Sequence, residues 1–193
     1  IFTWTFLRFF LIPFMPSTRQ VDPMLFGPDA PSEDDFALNN WALASALAGR
    51  AVLPQAYQFY ARFHDLRDLT PSELSRWRRY QVAFVHKMSV IARNKTLLIK
   101  SPSHTARVRW LLELFPQAKF VHVTRDPRAV MRSNVALLQL VQRLYNINDP
   151  LPQETIESIL VREYLATEQS YLEARARIPR GQIAEVRFQD LLA

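Results

Sequence analysis

The chain has 193 residues, of which 49% are hydrophobic, so it is long enough to bury a core as one domain. Its formal net charge is +6, and 20 of its 24 basic residues are arginine, whose planar guanidinium suits phosphate-like ligands. The surplus is too modest and too dispersed to indicate nucleic acid as a partner. The absence of cysteine excludes disulfides and thiolate chemistry.

Residues 1–15 are apolar, but the stretch is short for a membrane span and contains Arg8 and Pro13. It also lacks the basic leader and the small-residue cleavage site of a signal peptide. We therefore expect residues 1–15 to form a buried or lid helix, with a membrane-surface helix as the alternative. For the protein as a whole we expect a cytoplasmic location. Residues 16–31 carry four prolines and Gly27, which predicts a loop.

Three consecutive acids, Glu33, Asp34 and Asp35, precede the helical pattern of residues 36–47. The helix dipole favours carboxylates at such a start. The simplest interpretation is therefore capping, with Ser32 as the N-cap residue and Asp35 at the third helical position.

The next two segments predict helical structure with an aromatic core. Residues 55–63 contain four aromatic side chains, which favour core packing over a ligand pocket. Thr70 and Glu73 have the spacing of a capping box, and Pro71 fits the first position of a long helix. The buried stripe predicted for that helix comprises Leu74, Trp77, Phe84, Met88 and Ile91.

Residues 96–134 read as strand, loop, helix, strand, loop and helix. The apolar run Thr96–Ile99 predicts a buried parallel strand that ends at Lys100. A helix follows and stops at Pro116, and residues 118–124 predict a second strand, in which His122 is assigned to the core. Ligands bind where such strands end and helices begin, and both of these ends are basic.

The second of these strand ends favours an anion. It carries Arg125, and the next helix begins there, with Asp126 as its cap and Pro127 in its first turn. A helix N-terminus of this kind attracts phosphate. The buried face predicted for that helix, which runs to about Leu144, comprises Val130, Leu137, Leu138 and Val141.

A long helix over residues 154–177 and a third strand over residues 183–188 complete the chain. Helices that alternate with short apolar strands predict an α/β fold, with a parallel sheet flanked by helices.

Two blocks of sequence, residues 98–105 (Leu-Ile-Lys-Ser-Pro-Ser-His-Thr) and residues 115–134, resemble the sulfotransferases that use PAPS (3′-phosphoadenosine 5′-phosphosulfate), in particular the bacterial-type branch. Residues 32–38 and 186–191 resemble the family more weakly. The resemblance implies a fold like that of P-loop nucleotide-binding proteins. It also implies sulfuryl transfer from PAPS to a hydroxyl or amine acceptor, which is a small molecule or a carbohydrate, without a metal. Nucleic acid and membrane are not expected as partners.

The resemblance also assigns the donor site. Arg125 and Ser133 match the family's clamp for the 3′-phosphate, and Phe188 packs on the adenine. Lys100 contacts the donor or the transferring sulfuryl group. The ordinary alternatives are an arginine paired with a carboxylate, a helix serine facing solvent and a solvated lysine.

The acceptor loses a proton when it is sulfated, and the resemblance to the family gives two candidates for the base that takes it. His104 is our first choice, because neutral imidazole can take a proton near pH 7, although a lone histidine is more often structural. Glu33 is the second, as a base or as a ligand of the acceptor. No cluster of ligands indicates a metal site.

The chain departs from the family pattern at both ends. The glycine-containing loop that holds the 5′-phosphosulfate is absent, so we expect a fragment that lacks this loop upstream and is inactive alone. Phe188 stands where the family often has tyrosine. We expect one partial domain with a helical acceptor side (1–95), a donor core (96–145) and a last helix and strand (146–193). Two alternatives remain: another nucleotide-dependent transferase such as a kinase, and a non-catalytic helical interaction module.

Overall fold

The computed structural model describes Thr18, Ala30 and residues 32–93 and 95–191. The helix expected at residues 1–15, and nearly all of the loop expected at residues 16–31, lie outside these ranges. The chain divides into two compact units, Ile1–Ser32 and Glu33–Ala193. All elements named below belong to the second unit.

This unit alternates helices with two short strands. Its α-helices are α1 (Asp34–Ala42), α2 (Tyr57–Ala61), α3 (Pro71–Ala92), α4 (His104–Leu114), α5 (Pro127–Tyr145) and α6 (Gln153–Arg175). The strands are β1 (Phe120–Thr124) and β2 (Ile183–Arg187). A π-helix (Ala48–Val52) and 3-10 helices (Pro54–Ala56 and Phe188–Leu191) complete it.

The two strands form a parallel pair. Phe120 lies opposite Ile183, and Thr124 lies opposite Arg187. Helices α5 and α6 connect the strands, as a parallel pair requires, because its ends cannot be joined by a tight turn. Both strands lie where the sequence predicts them, with bounds shifted by one or two residues, and the mixed helix and strand content agrees with an α/β fold.

The strand predicted at Thr96–Ile99 is wrong. Residues 95–100 have no regular secondary structure, and Leu98 is 92% exposed. A strand needs a neighbour that accepts and donates its backbone hydrogen bonds. Within the described residues, β1 and β2 pair with each other, and neither pairs with this segment.

The core lies between the helices and beneath the sheet. The largest cluster contains the fully buried Trp77 of α3 and Leu111 of α4. A second cluster joins α4 to α6 and to Phe120 of β1 through Val108 and Tyr171. The aromatic core predicted for residues 55–63 is confirmed for Tyr57, Tyr60 and Phe63, which are buried, whereas Phe59 is 52% exposed.

Two residues of the predicted buried faces point to solvent. Ile91, near the end of α3, is 63% exposed, and Leu137 of α5 is 44% exposed. His122, assigned to the core, is largely covered, and its ring centroid lies 3.9 Å from that of Tyr171.

Local capping signals set two helix starts. The Thr70 hydroxyl accepts from the Glu73 backbone N–H, and the Glu73 carboxylate accepts from the Thr70 backbone N–H at 2.9 Å, so the capping box is confirmed. Asp126 caps α5 by accepting from the backbone N–H of Arg128 at 3.1 Å.

The cap predicted for the first helix is wrong. Helix α1 begins at Asp34, Glu33 is the N-cap residue, and no side chain caps the helix. Asp35 is therefore the second helical residue and not the third. The helix ends at Ala42, well before Leu47, because Leu43 adopts a left-handed conformation with φ of 49°. The three acids have other partners, described next.

Candidate functional site

Three consecutive acids meet three basic side chains from a distant part of the chain. Each acid pairs with one of them, and we call the set the acid–base ladder: Glu33 with Lys100, Asp34 with His104, and Asp35 with Arg107. The acids lie at the start of α1, whereas the basic residues lie in the loop before α4 and in its first turn. Burial increases from the first pair to the third.

The outer pair faces solvent. A salt bridge joins Glu33 Oε1 to Lys100 Nζ, with 24% of the Glu33 side chain and 73% of the Lys100 side chain exposed. Such an exposed pair contributes little to stability. The ammonium group of Lys100 therefore remains able to turn toward an anionic ligand.

The middle pair is much less exposed. Asp34 Oδ2 lies 3.0 Å from His104 Nε2 and accepts from Gln81 Nε2 at 2.8 Å. The Asp34 side chain is fully buried, and the His104 side chain is 16% exposed. Burial raises the pKa of Asp34, but the hydrogen bonds and charge of its partners outweigh this and hold the pKa below its usual value. Asp34 is therefore a carboxylate at neutral pH.

The inner pair is removed from water. Arg107 Nη1 lies 2.7 Å from Asp35 Oδ1, and Arg107 Nε donates to the carbonyl of His64 at 3.0 Å. The hydroxyls of Ser101 and Ser103 both donate to Asp35 Oδ2. Burial raises the pKa of Asp35, but the charge and hydrogen bond of Arg107 outweigh it and hold the pKa far below its usual value. This pair fixes the Lys-Ser-Pro-Ser-His loop against α1.

Sequence reasoning missed Asp34 and Arg107 as members of this site. The sequence does contain one indication that Arg107 belongs with His104. Arg107 follows His104 by three residues, so the two side chains lie on the same face of the helix. It also falls beside Val108 in the buried stripe of α4, where an arginine requires a buried acidic partner.

A second group of predicted residues meets at the ends of the two strands. Arg125 follows β1, and Phe188 follows β2, so both lie at the carboxyl end of the parallel pair. The Arg125 guanidinium carbon lies 4.8 Å from the centroid of the Phe188 ring. Ser133 lies on α5 with its side chain exposed. Among the described residues, no hydrogen bond or ion pair joins Ser133 to Arg125, or this group to the ladder.

The described part of the chain contains no set of three or more His, Asp or Glu side chains that could hold a metal ion. No helix in that part has the length and apolar character needed to cross a membrane.

Comparison with known proteins agrees with the family resemblance seen in the sequence. A sequence model described as "Sulfotransferase family" matches residues 12–193. Two proteins named omega-hydroxy-beta-dihydromenaquinone-9 sulfotransferase, from Mycobacterium bovis and Mycobacterium tuberculosis, are each 31% identical to the chain over 174 residues. The match covers 90% of this chain but 44% of each relative, so the chain spans less than half their length. No solved structure gives a significant match.

Proposed function

Since the chain belongs to the sulfotransferase family, we propose that the protein containing it transfers a sulfuryl group from PAPS to a hydroxyl acceptor, with an amine as the second choice. The acceptor oxygen forms a bond to sulfur, and the bond from sulfur to the 5′-phosphate oxygen breaks. The products are a sulfate ester and 3′-phosphoadenosine 5′-phosphate, and the acceptor's proton passes to a base. As in phosphoryl transfer, the protein mainly positions the groups and stabilises charge.

The contact between Arg125 and Phe188 is the observation that best supports a donor site. Among the described residues, no carboxylate pairs with Arg125, so its guanidinium can form a fork on the 3′-phosphate. Phe188 supplies an apolar ring face beside it for the adenine. Ser133, on the helix that begins next to Arg125, is proposed as the second ligand of the phosphate.

The outer and middle pairs of the acid–base ladder are proposed to carry the chemistry. Lys100, exposed and held by Glu33, stabilises the charge on the sulfuryl group and the leaving phosphate. His104 accepts the proton of the acceptor. Glu33 holds Lys100 in place, because its carboxylate is already engaged by the ammonium group, and it is the alternative base.

The loop that holds the 5′-phosphosulfate is proposed to belong to a part of the protein outside this chain. Val121 and Val123 lie on the same face of β1 and are 61% and 44% exposed, so one side of the sheet offers apolar side chains for a further part of the protein to cover. A further parallel strand that carries the loop would give a fold of the P-loop type. A cytoplasmic location stays a prediction.

The acceptor is proposed to be an apolar or ring-containing molecule that carries the reacting hydroxyl. The two mycobacterial relatives are named for a hydroxylated menaquinone derivative. In this chain, Phe36 of α1 lies three residues after Glu33 and is 49% exposed. It offers an apolar ring about one helical turn from the outer pair of the ladder.

Thermal unfolding of the full-length protein with either of two nucleotides tests the donor site. A ligand that binds only the folded state raises the melting temperature. We expect 3′-phosphoadenosine 5′-phosphate to raise it and 5′-AMP to raise it much less. Arg125→Ala should abolish the difference, whereas Arg143→Ala, which removes an exposed arginine from the far end of α5, should preserve it.

Two results would contradict the proposal. Equal shifts with both nucleotides would indicate a general nucleotide enzyme such as a kinase. No shift in a folded protein would indicate a non-catalytic module.

A further inference from the structure

The middle pair of the ladder defines which nitrogen of His104 carries a hydrogen. Asp34 Oδ2 accepts from the Gln81 amide at 2.8 Å and lies 3.0 Å from His104 Nε2. An ionised carboxylate has no hydrogen to donate. The hydrogen between Asp34 and His104 therefore resides on Nε2, and in the neutral ring the free lone pair is on Nδ1.

His104 Nδ1 is buried, and among the residues that the structure describes it has no hydrogen-bond partner. A buried polar atom of this kind calls for an explanation, because native proteins pair nearly all of them. The His104 side chain is still 16% exposed, and the exposed Glu33–Lys100 pair adjoins it in the ladder. Because Nδ1 itself is closed to solvent, a hydroxyl group reaches it only when the side chains that cover it move aside, and the hydroxyl then supplies the missing partner.

We propose that Asp34 is a positioning residue for the transfer reaction, which fixes the Nε2–H tautomer of His104 and so keeps the Nδ1 lone pair free to accept from the acceptor hydroxyl. This inference rests on the proposed function. The acceptor's proton passes to Nδ1 as its oxygen bonds to sulfur. The imidazolium that forms is stabilised by the Asp34 carboxylate until the proton leaves to solvent.

Asp35 cannot fill this role, although it is the next residue. Its carboxylate is occupied by Arg107 and by two serine hydroxyls. Among the described residues, His104 is the only side chain that forms an ion pair with Asp34, and Asp34 Oδ1 is buried without a partner. The direct contact through which Asp34 acts on the reaction is therefore the one with His104.

Asp34→Asn in the full-length protein tests the role. The asparagine oxygen can take the place of Oδ2 and still accept from both Gln81 and His104 Nε2, so the change keeps the tautomer but removes the negative charge that stabilises the imidazolium. We expect kcat to fall by about 100-fold or more, with no change in the melting-temperature shift given by 3′-phosphoadenosine 5′-phosphate. Asp68→Asn, the same chemical change at an exposed site, should leave kcat unchanged.

A double-mutant cycle separates positioning from general destabilisation. If Asp34 acts through His104, Asp34→Asn should cause no further loss of kcat in a His104→Ala background. A similar loss in both backgrounds would overturn the inference, and so would a single variant whose kcat stays within about threefold of wild type.

Nitrogen NMR of the histidine side chains identifies the tautomer of His104 directly. It requires neither an activity assay nor a variant. We expect the Nε2–H tautomer at His104 in the wild-type protein, and an Nδ1–H tautomer there would overturn the inference. If the protein shows the Nε2–H tautomer but transfers no sulfuryl group, the pairing of Asp34 with His104 stands and the proposed function is overturned.

Discussion

Arg107 and Asp35 form an ion pair that is closed to water: Arg107 Nη1 lies 2.7 Å from Asp35 Oδ1, with 0% and 3% of the two side chains exposed. Arg107 Nε and Nη2 each donate a further hydrogen bond, to the backbone carbonyls of His64 and Phe63 respectively. One buried side chain thus connects α4, α1 and the segment after α2. Because every partner is hydrogen-bonded, the pair tolerates burial that would otherwise be costly.

Arg107→Ala should destabilise the protein by about 3–5 kcal/mol, because it leaves the Asp35 carboxylate buried and unpaired. The matched control is Arg109→Ala on the same helix, where the arginine pairs with Glu113 at 3.3 Å but both side chains are exposed. That change should cost less than about 1 kcal/mol. Urea unfolding measures both, and equal costs would contradict the role assigned to Arg107.

A second buried network gives stability a pH dependence. His64 Nδ1 lies 3.2 Å from Arg50 Nη2, and His64 Nε2 lies 2.6 Å from Thr167 Oγ1. Burial, together with the charge of Arg50, lowers the pKa of His64 from 6.5 to about 4. The unfolded chain therefore binds a proton that the folded chain excludes between these two pH values.

Stability should therefore fall as the pH drops below 6.5 toward 4, by up to about 3 kcal/mol at about 1.4 kcal/mol per pKa unit. Urea unfolding between pH 7 and pH 4.5 measures this loss, above the range in which Asp34 and Asp35 titrate. His64→Gln should flatten the dependence, whereas His86→Gln, at an exposed site, should leave it intact. A steep dependence in His64→Gln would assign the loss to another group.

Gly49 should tolerate no side chain. A Cβ added there would lie 2.9 Å from both Tyr57 Cα and Tyr60 Cβ, so the π-helix that contains it could not pack on α2. Gly49→Ala should cost about 1–3 kcal/mol by overpacking. Gly181→Ala, at a left-handed turn with φ of 83° and no atom of the described residues within 4 Å of the added Cβ, should cost about 1 kcal/mol from the backbone alone. A melting curve in which Gly49→Ala costs no more than this would contradict the close contact.

Glu33→Gln distinguishes the two candidate bases. If Glu33 serves to hold Lys100, kcat should fall by about tenfold or less, because the lysine keeps its charge and loses one exposed partner. His104→Ala should lower kcat by about 100-fold or more. Steady-state kinetics at saturating donor compares the two variants, and a larger loss in Glu33→Gln would make Glu33 the base.

Sequence patterns predicted the features that depend on nearby residues. The capping box at Thr70 and Glu73 and the Asp126 cap of α5 were predictable, because a cap is built from residues within four positions of each other. The strands β1 and β2 were predictable from short apolar runs between helical segments.

The features that depend on distant residues were not predictable in the same way. A carboxylate at a helix start satisfies a capping pattern and an ion-pair pattern equally well. Only the fold places Asp35 against Arg107, 72 positions away. The apolar run at Thr96–Ile99 indicated a strand, but pattern alone cannot supply the neighbour that a strand needs.

The most direct test is transfer of labelled sulfur from PAPS by the full-length protein to an isoprenoid quinone with a terminal hydroxyl. We expect a labelled sulfate ester in the wild-type reaction, and its loss in both Arg125→Ala and His104→Ala while the Arg143→Ala protein stays active. If the folded wild-type protein binds 3′-phosphoadenosine 5′-phosphate but labels neither this acceptor nor a panel of other hydroxyl and amine acceptors, sulfuryl transfer by this protein is contradicted.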